Sequence, residues 1–210
     1  MLISKWLASR RELSPFETYI PWIWGVGKNE AGQHGTGGAT MGAMLSMVTT
    51  HGVLPADTPD LPPYQGTSNA WARNYGRNAQ NAPYSKYWSE AKKYVVTVAQ
   101  LPKDGEAFYL ACKAGYTVAF GTSQKIRMSG SGTKRIWTAS GSWMHAMAGY
   151  GYDEELDAVG IDNSHGDGHA WASRTVLKSV VTNARYFDAF VIIDIQPRPA
   201  EADWSTVGRS

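Results

Sequence analysis

Two residues suited to proton transfer stand at a telling distance in the second half of the chain. In "MHAMAGYGYDEELDAVGIDNSHGDG", residues 144–168, His145 opens one strand-like run and Asn163 closes the next, 18 residues later. A hairpin of that size sets a His beside an Asn, whose side-chain carbonyl accepts from an imidazole N–H and fixes its tautomer. Such a base serves a nucleophile, and thiol-mediated acyl transfer needs in addition a thiolate and a donor for the oxyanion. The only cysteine, Cys112, falls among Phe108, Leu110 and Ala111 on a predicted helix and reads as a small buried hydrophobe. A second cluster lies close by. His165, Asp167 and His169 form H-x-D-x-H near Asp162, and alternate residues of an extended segment can converge on a metal. Gly166 and Gly168 favour a turn there instead, so no metal and no other cofactor is expected, and the three residues stand as the alternative. His34 and His51 read as loop or helix-end residues.

The elements that must position these groups follow from periodicity. Gly-rich "GQHGTGGATMG" opens onto a run in which Met41, Met44, Leu45 and Val48 recur at helical spacing, with Gly52 as the stop; its small, Met-rich sides predict a central, buried helix. "DGEAFYLACKAG" predicts a second helix with Asp104 as N-cap and Gly115 as its end. Strands are expected at "YVVTVAQLP", "YTVAFGTS", "MHAMAGYGYD", "LDAVGIDN" and "FDAFVIIDI", with a polar loop, "SGSGTKR", before the third. The aromatic-rich residues 1–30 suit no single regular element, and 53–90 read as loops with one short helix. Helices and loops first, strands second, is an α+β pattern. The expected organisation is one domain over 1–195, with a mainly helical lobe at about 20–90 and a mainly β lobe at about 91–195, and a polar, Pro-bearing arm at 196–210.

Composition sets outer bounds. The 210 residues are 43% hydrophobic and 18% charged, which is ordinary for a globular chain able to bury a core. A net charge of +2 gives no electrostatic case for nucleic-acid binding. No apolar run approaches a membrane span, and "MLISKWLASRRELSPF" lacks the apolar stretch and cleavage site of a signal peptide, so it reads as a short amphipathic helix. One cysteine forms no internal disulfide, which fits a reducing compartment, cytoplasmic, or a virion assembled in one.

The His–Asn block resembles the papain-like cysteine peptidases, whose corresponding segments read "HAVxxVGYG" and "NSWGxxWG". "QHGTGGATMGAM" resembles their "QGxxGSCWAF" segment, "AFYLACKAGYTVAF" their "ALxxxGPVSVAI", and "GVLPADTPDLPPYQG" their "GIxxEExYPYxG". Order and spacing agree over roughly residues 20–195. The resemblance, of the short bacterial and phage type, implies a two-lobe α+β fold with a helical lobe and an antiparallel β lobe. It also implies Gln33 as the oxyanion-hole residue, His145 as general base and Asn163 as its orienting partner. The nucleophile position falls on Ala39, at the start of a helix whose dipole would have favoured a thiolate. His165 stands where the family has the Trp that shields the Asn–His pair, and His169-Ala170 replace the second Trp-Gly. A one-residue shift would offer Thr40 as nucleophile but displace Gln33, and a helix N-terminal role suits Thr40 better.

As written, the chain is not expected to cut peptides by the thiol mechanism; with Cys at 39 it would be a papain-like endopeptidase. The resemblance thus implies a pseudoenzyme acting as a binding or structural protein, with other chains or a cleft-bound peptide as partners. Assembly is expected, with a phage particle as one setting. The other reading is a peptidase trapped by a Cys-to-Ala exchange at position 39, although His165 and His169 are not changes that trapping needs.

Overall fold

The computed structural model describes residues 16–33, 38–62, 86–130, 135–163 and 169–196. The chain divides into two compact units, one of Thr18–Thr97 with Asp194–Ser210, the other of Met1–Glu17 with Val98–Ile193. The expected amphipathic start and most of the C-terminal arm lie outside the described residues.

In the first unit the aromatic stretch forms the core. A π-helical turn, Trp22–Val26, runs into the short helix α1 (Gly27–Glu30). Trp22 is fully buried, donates from Nε1 to the Gly52 carbonyl at 3.3 Å and meets Trp88 edge-on at 4.9 Å. Lys28 is buried as well, its Nζ lying 4.9 Å from the centre of the Trp24 ring. The predicted Met-rich helix is α2 (Met41–Thr50). It stops where expected: Gly52 has φ +78°, and a Cβ there would come within 2.0 Å of the Ala91 carbonyl oxygen. The expectation of full burial needs correction. Met47 and Val48 are buried, but Met41, Met44 and Leu45 are only half so, because the helix packs from Met44 onward, against Gly27, and its first turn is largely open. Helix α3 (Tyr87–Ala91) and a 3₁₀ turn, Lys92–Tyr94, complete the described helical part.

The second unit is built on a sheet. Strands β1 (Val95–Gln100), β2 (Val118–Ser129), β3 (Ile136–Asp153), β4 (Ala158–Asp162), β5 (His169–Ser173) and β6 (Phe187–Gln196) lie in the order β1-β6-β2-β3-β4-β5. The β2–β6, β2–β3, β3–β4 and β4–β5 pairs are antiparallel. Helix α4 (Gly105–Lys113) is capped as predicted, the Glu106 N–H donating to Asp104 Oδ1 at 2.9 Å. With α5 (Arg174–Asn183) it covers one face of the sheet. Phe108 and Cys112 of α4 and Leu177, Val180 and Val181 of α5 join Phe120 of β2 and Phe187 of β6 in one core. The Phe108 and Phe120 rings lie 4.8 Å apart.

β3 is longer than its sequence suggests, and irregular. Thr122 pairs with His145 and Gln124 with Ser142, then Ile126 with Ala139, so β3 twice carries one residue more than β2 opposite it. These are β-bulges, and Gly141, at φ +67°, lies in the second. The ribbon also curls at its far end, where Ile136 pairs in parallel with Trp171 and the Trp171 N–H donates to the Arg135 carbonyl at 2.8 Å.

Candidate active site

His145 lies on β3 and Asn163 directly follows β4. The pairs Ala148–Asp162 and Gly149–Ile161 fix the register, which puts Asn163 opposite Met147 and therefore diagonal to His145 on the same face. Their side chains meet: His145 Nε2 lies 2.7 Å from Asn163 Oδ1. A carbonyl oxygen only accepts, so Nε2 carries the proton, and in the neutral ring the lone pair is left on Nδ1. Asn163 is 5% exposed, which keeps water from competing for the bond. The pair expected from sequence is therefore assembled by hairpin register.

A neighbour missed from sequence completes this corner. Trp143, two residues before His145 and inside the bulged stretch of β3, lies with its ring centre 4.7 Å from that of the imidazole, tilted by 51°. An aromatic two places ahead of a His was the available signal, but the unassigned "IWTASGSW" gave no strand to place it on.

The residues assigned by resemblance to the other half of a site belong to the helical unit. The first helical residue is Met41, not position 39 as the sequence led us to expect. Thr40 is the N-cap, accepting from the Ala43 N–H at 3.3 Å, and Ala39 stands one place further out. Capping wins because a hydroxyl at 40 satisfies an N–H that alanine at 39 leaves open. Gln33 grips the same residue twice: Nε2 donates to Thr40 Oγ1 at 3.3 Å, and the Thr40 N–H donates to Oε1 at 3.1 Å. Its amide thus ties residue 33 to the start of α2. Ala39 itself offers a methyl group, which neither ionises nor attacks.

Cys112 is fully buried in the core, and burial pushes its thiol well above the usual range. Of the alternative metal ligands, His165 and Asp167 lie outside the described residues. His169 shares a 2.5 Å hydrogen bond between Nδ1 and the Tyr150 hydroxyl and meets Trp171 edge-on at 5.1 Å. Among the described residues no three His, Cys, Asp or Glu side chains gather as a metal site, and no helix is long and apolar enough to cross a membrane.

No family model and no curated protein matches the chain. Among solved structures it is similar to xylellain, a cysteine protease from Xylella fastidiosa, with a TM-score of 0.59 and 19% sequence identity over 90% of this chain and 75% of that one. At that identity the likeness is one of fold, and the fold is papain-like α+β.

Proposed function

We propose that the protein is a papain-like pseudoenzyme, a binding or structural module that keeps the base and its orienting partner without a nucleophile for them to serve. The observation that carries this reading is Ala39, placed just outside the cap of α2, beside a Gln33 whose amide is engaged with Thr40. A general base accelerates acyl transfer only by activating an attacking group, and a methyl side chain supplies none. Partners would be other protein chains or a peptide, and the setting an assembly such as a phage particle, where the polar residues 196–210 suit contacts with other chains.

A second reading, a cysteine peptidase captured as a Cys-to-Ala exchange at position 39, is favoured by one specific feature. The His145–Asn163 hydrogen bond is short and sheltered, as in a site still held ready. One experiment separates the two. Ala39→Cys is treated with a papain-directed epoxide and the adduct located by mass spectrometry, the unchanged protein with its buried Cys112 serving as control. No adduct at residue 39 in a folded variant supports the pseudoenzyme. Rapid alkylation there alone overturns it in favour of the silenced peptidase.

A further inference from the structure

The contact between Trp143 and His145 lies inside a break in the regular pairing of β3. The Cα atoms of residues two apart on a regular strand lie roughly 6.5–7 Å from each other, twice the rise per residue, so their side chains share a face and rings can meet. Here the ring centres are 4.7 Å apart, and the two residues lie where β3 carries an extra residue between the Gln124–Ser142 and Thr122–His145 pairs. A bulge bends its strand, increases the local twist and re-aims side chains. The indole meets the imidazole within this local departure from regular pairing.

The polar edge of the indole does not account for its position. Trp143 Nε1 is buried with no hydrogen-bond partner among the described residues. Leaving such a group unpaired costs free energy. What the ring has gained is contact for its apolar surface, with the main core and with the imidazole. His145 is itself only half-buried and its bond to Asn163 is the kind that water disrupts. A flat apolar ring against the imidazole limits both the rotation of the His side chain and the access of water to that bond.

We infer that Trp143 is the positioning residue of the His145–Asn163 pair, an aromatic cover supplied from the bulged strand β3 that holds the imidazole in its Nε2–H tautomer and keeps the bond to Asn163 dry. This goes beyond the proposed function and does not depend on it. The cover acts on the pair whether or not a nucleophile was ever present at position 39.

The test reads the imidazole directly. In protein labelled with ¹⁵N-histidine, the His145 Nε2–H gives a resolved proton resonance, assigned by its loss in His145→Gln, with an NOE to indole protons. In Trp143→Ala its exchange with water rises by about tenfold or more, because local opening becomes easier. Trp143→Phe, which keeps an aromatic face but lacks the N–H, restores slow exchange. Far-UV circular dichroism confirms that both variants remain folded. Two results overturn the inference: equal exchange rates in wild type and a folded Trp143→Ala, or a wild-type His145 Nε2–H that exchanges too fast to observe. The second needs no variant, so the inference stays testable if Trp143→Ala does not fold.

Discussion

His145 and Asn163 stand one diagonal step apart on the same face of the β3–β4 hairpin, joined by a 2.7 Å bond from Nε2 to Oδ1. Because Asn163 is buried, Asn163→Ala removes the acceptor and leaves the imidazole donor without it. Stability should fall by about 1–3 kcal/mol in urea titrations. ¹⁵N shifts of His145 should then move from a fixed Nε2–H pattern toward a mixture of tautomers. An unchanged pattern would falsify the orienting role.

Thr40 makes a prediction that distinguishes a cap from a nucleophile. Thr40→Ala loses the hydroxyl that accepts from Ala43 and Gln33, and should cost about 1 kcal/mol. Thr40→Ser should recover most of it, since serine caps as well. Thermal melts of the three proteins check both statements. Equal melting of wild type and Thr40→Ala would remove the capping role.

Cys112 should ignore thiol reagents in the native protein. Iodoacetamide at pH 8 is expected to modify it only after denaturation, read by intact mass. Burial raises the thiol pKa in the folded state, so the unfolded chain loses this proton first as pH rises. Above the ordinary thiol value of 9.0 the native state is therefore progressively disfavoured. Cys112→Ala should show a shallower alkaline loss of stability than wild type in pH-dependent melts.

Glu106 behaves in the opposite sense. Hydrogen bonds from Arg174 and Lys178, which tie α5 to α4, pull its carboxyl from 4.5 down to about 2. Stability from the ionised form is complete above the ordinary value and is lost as pH falls through about 2. The difference in melting temperature between wild type and Glu106→Gln should thus be constant near neutrality, narrow below about pH 4.5 and close near pH 2. The carboxylate is half-buried but its partners Arg174 and Lys178 are exposed, so raised salt should shrink the difference. A gap that persists unchanged to pH 2 would exclude this linkage.

Much of the architecture was legible because local and long-range signals agree. The helical spacing of Met41, Met44, Leu45 and Val48, ended by Gly52, marks α2, and Asp104 marks the start of α4. The His–Asn pair could be read because register makes a fixed sequence separation into a fixed diagonal. Other features were hidden for physical reasons. In α5, Leu177, Val180 and Val181 have helical spacing and Ser173 caps through the Val176 N–H, yet the β-branched residues and the absence of a terminal glycine blurred the pattern. β5 buries only the small side chains of Ala170 and Ala172, too little alternation to stand out. The first half of β3 carries polar residues and glycine through its two bulges, which break the two-residue period from which strands are read. Trp143 was missed for that same reason, since it lies inside the bulged stretch.

The curl that brings Ile136 alongside Trp171 has a consequence for how the molecule meets its own copies. β5 ends the strand order, and an open terminal strand is a template on which another chain can add by backbone pairing. Here part of that template is occupied from within: the Trp171 N–H is donated to the Arg135 carbonyl, and Ile136 pairs alongside Trp171. The sheet thereby closes part of one border with its own backbone.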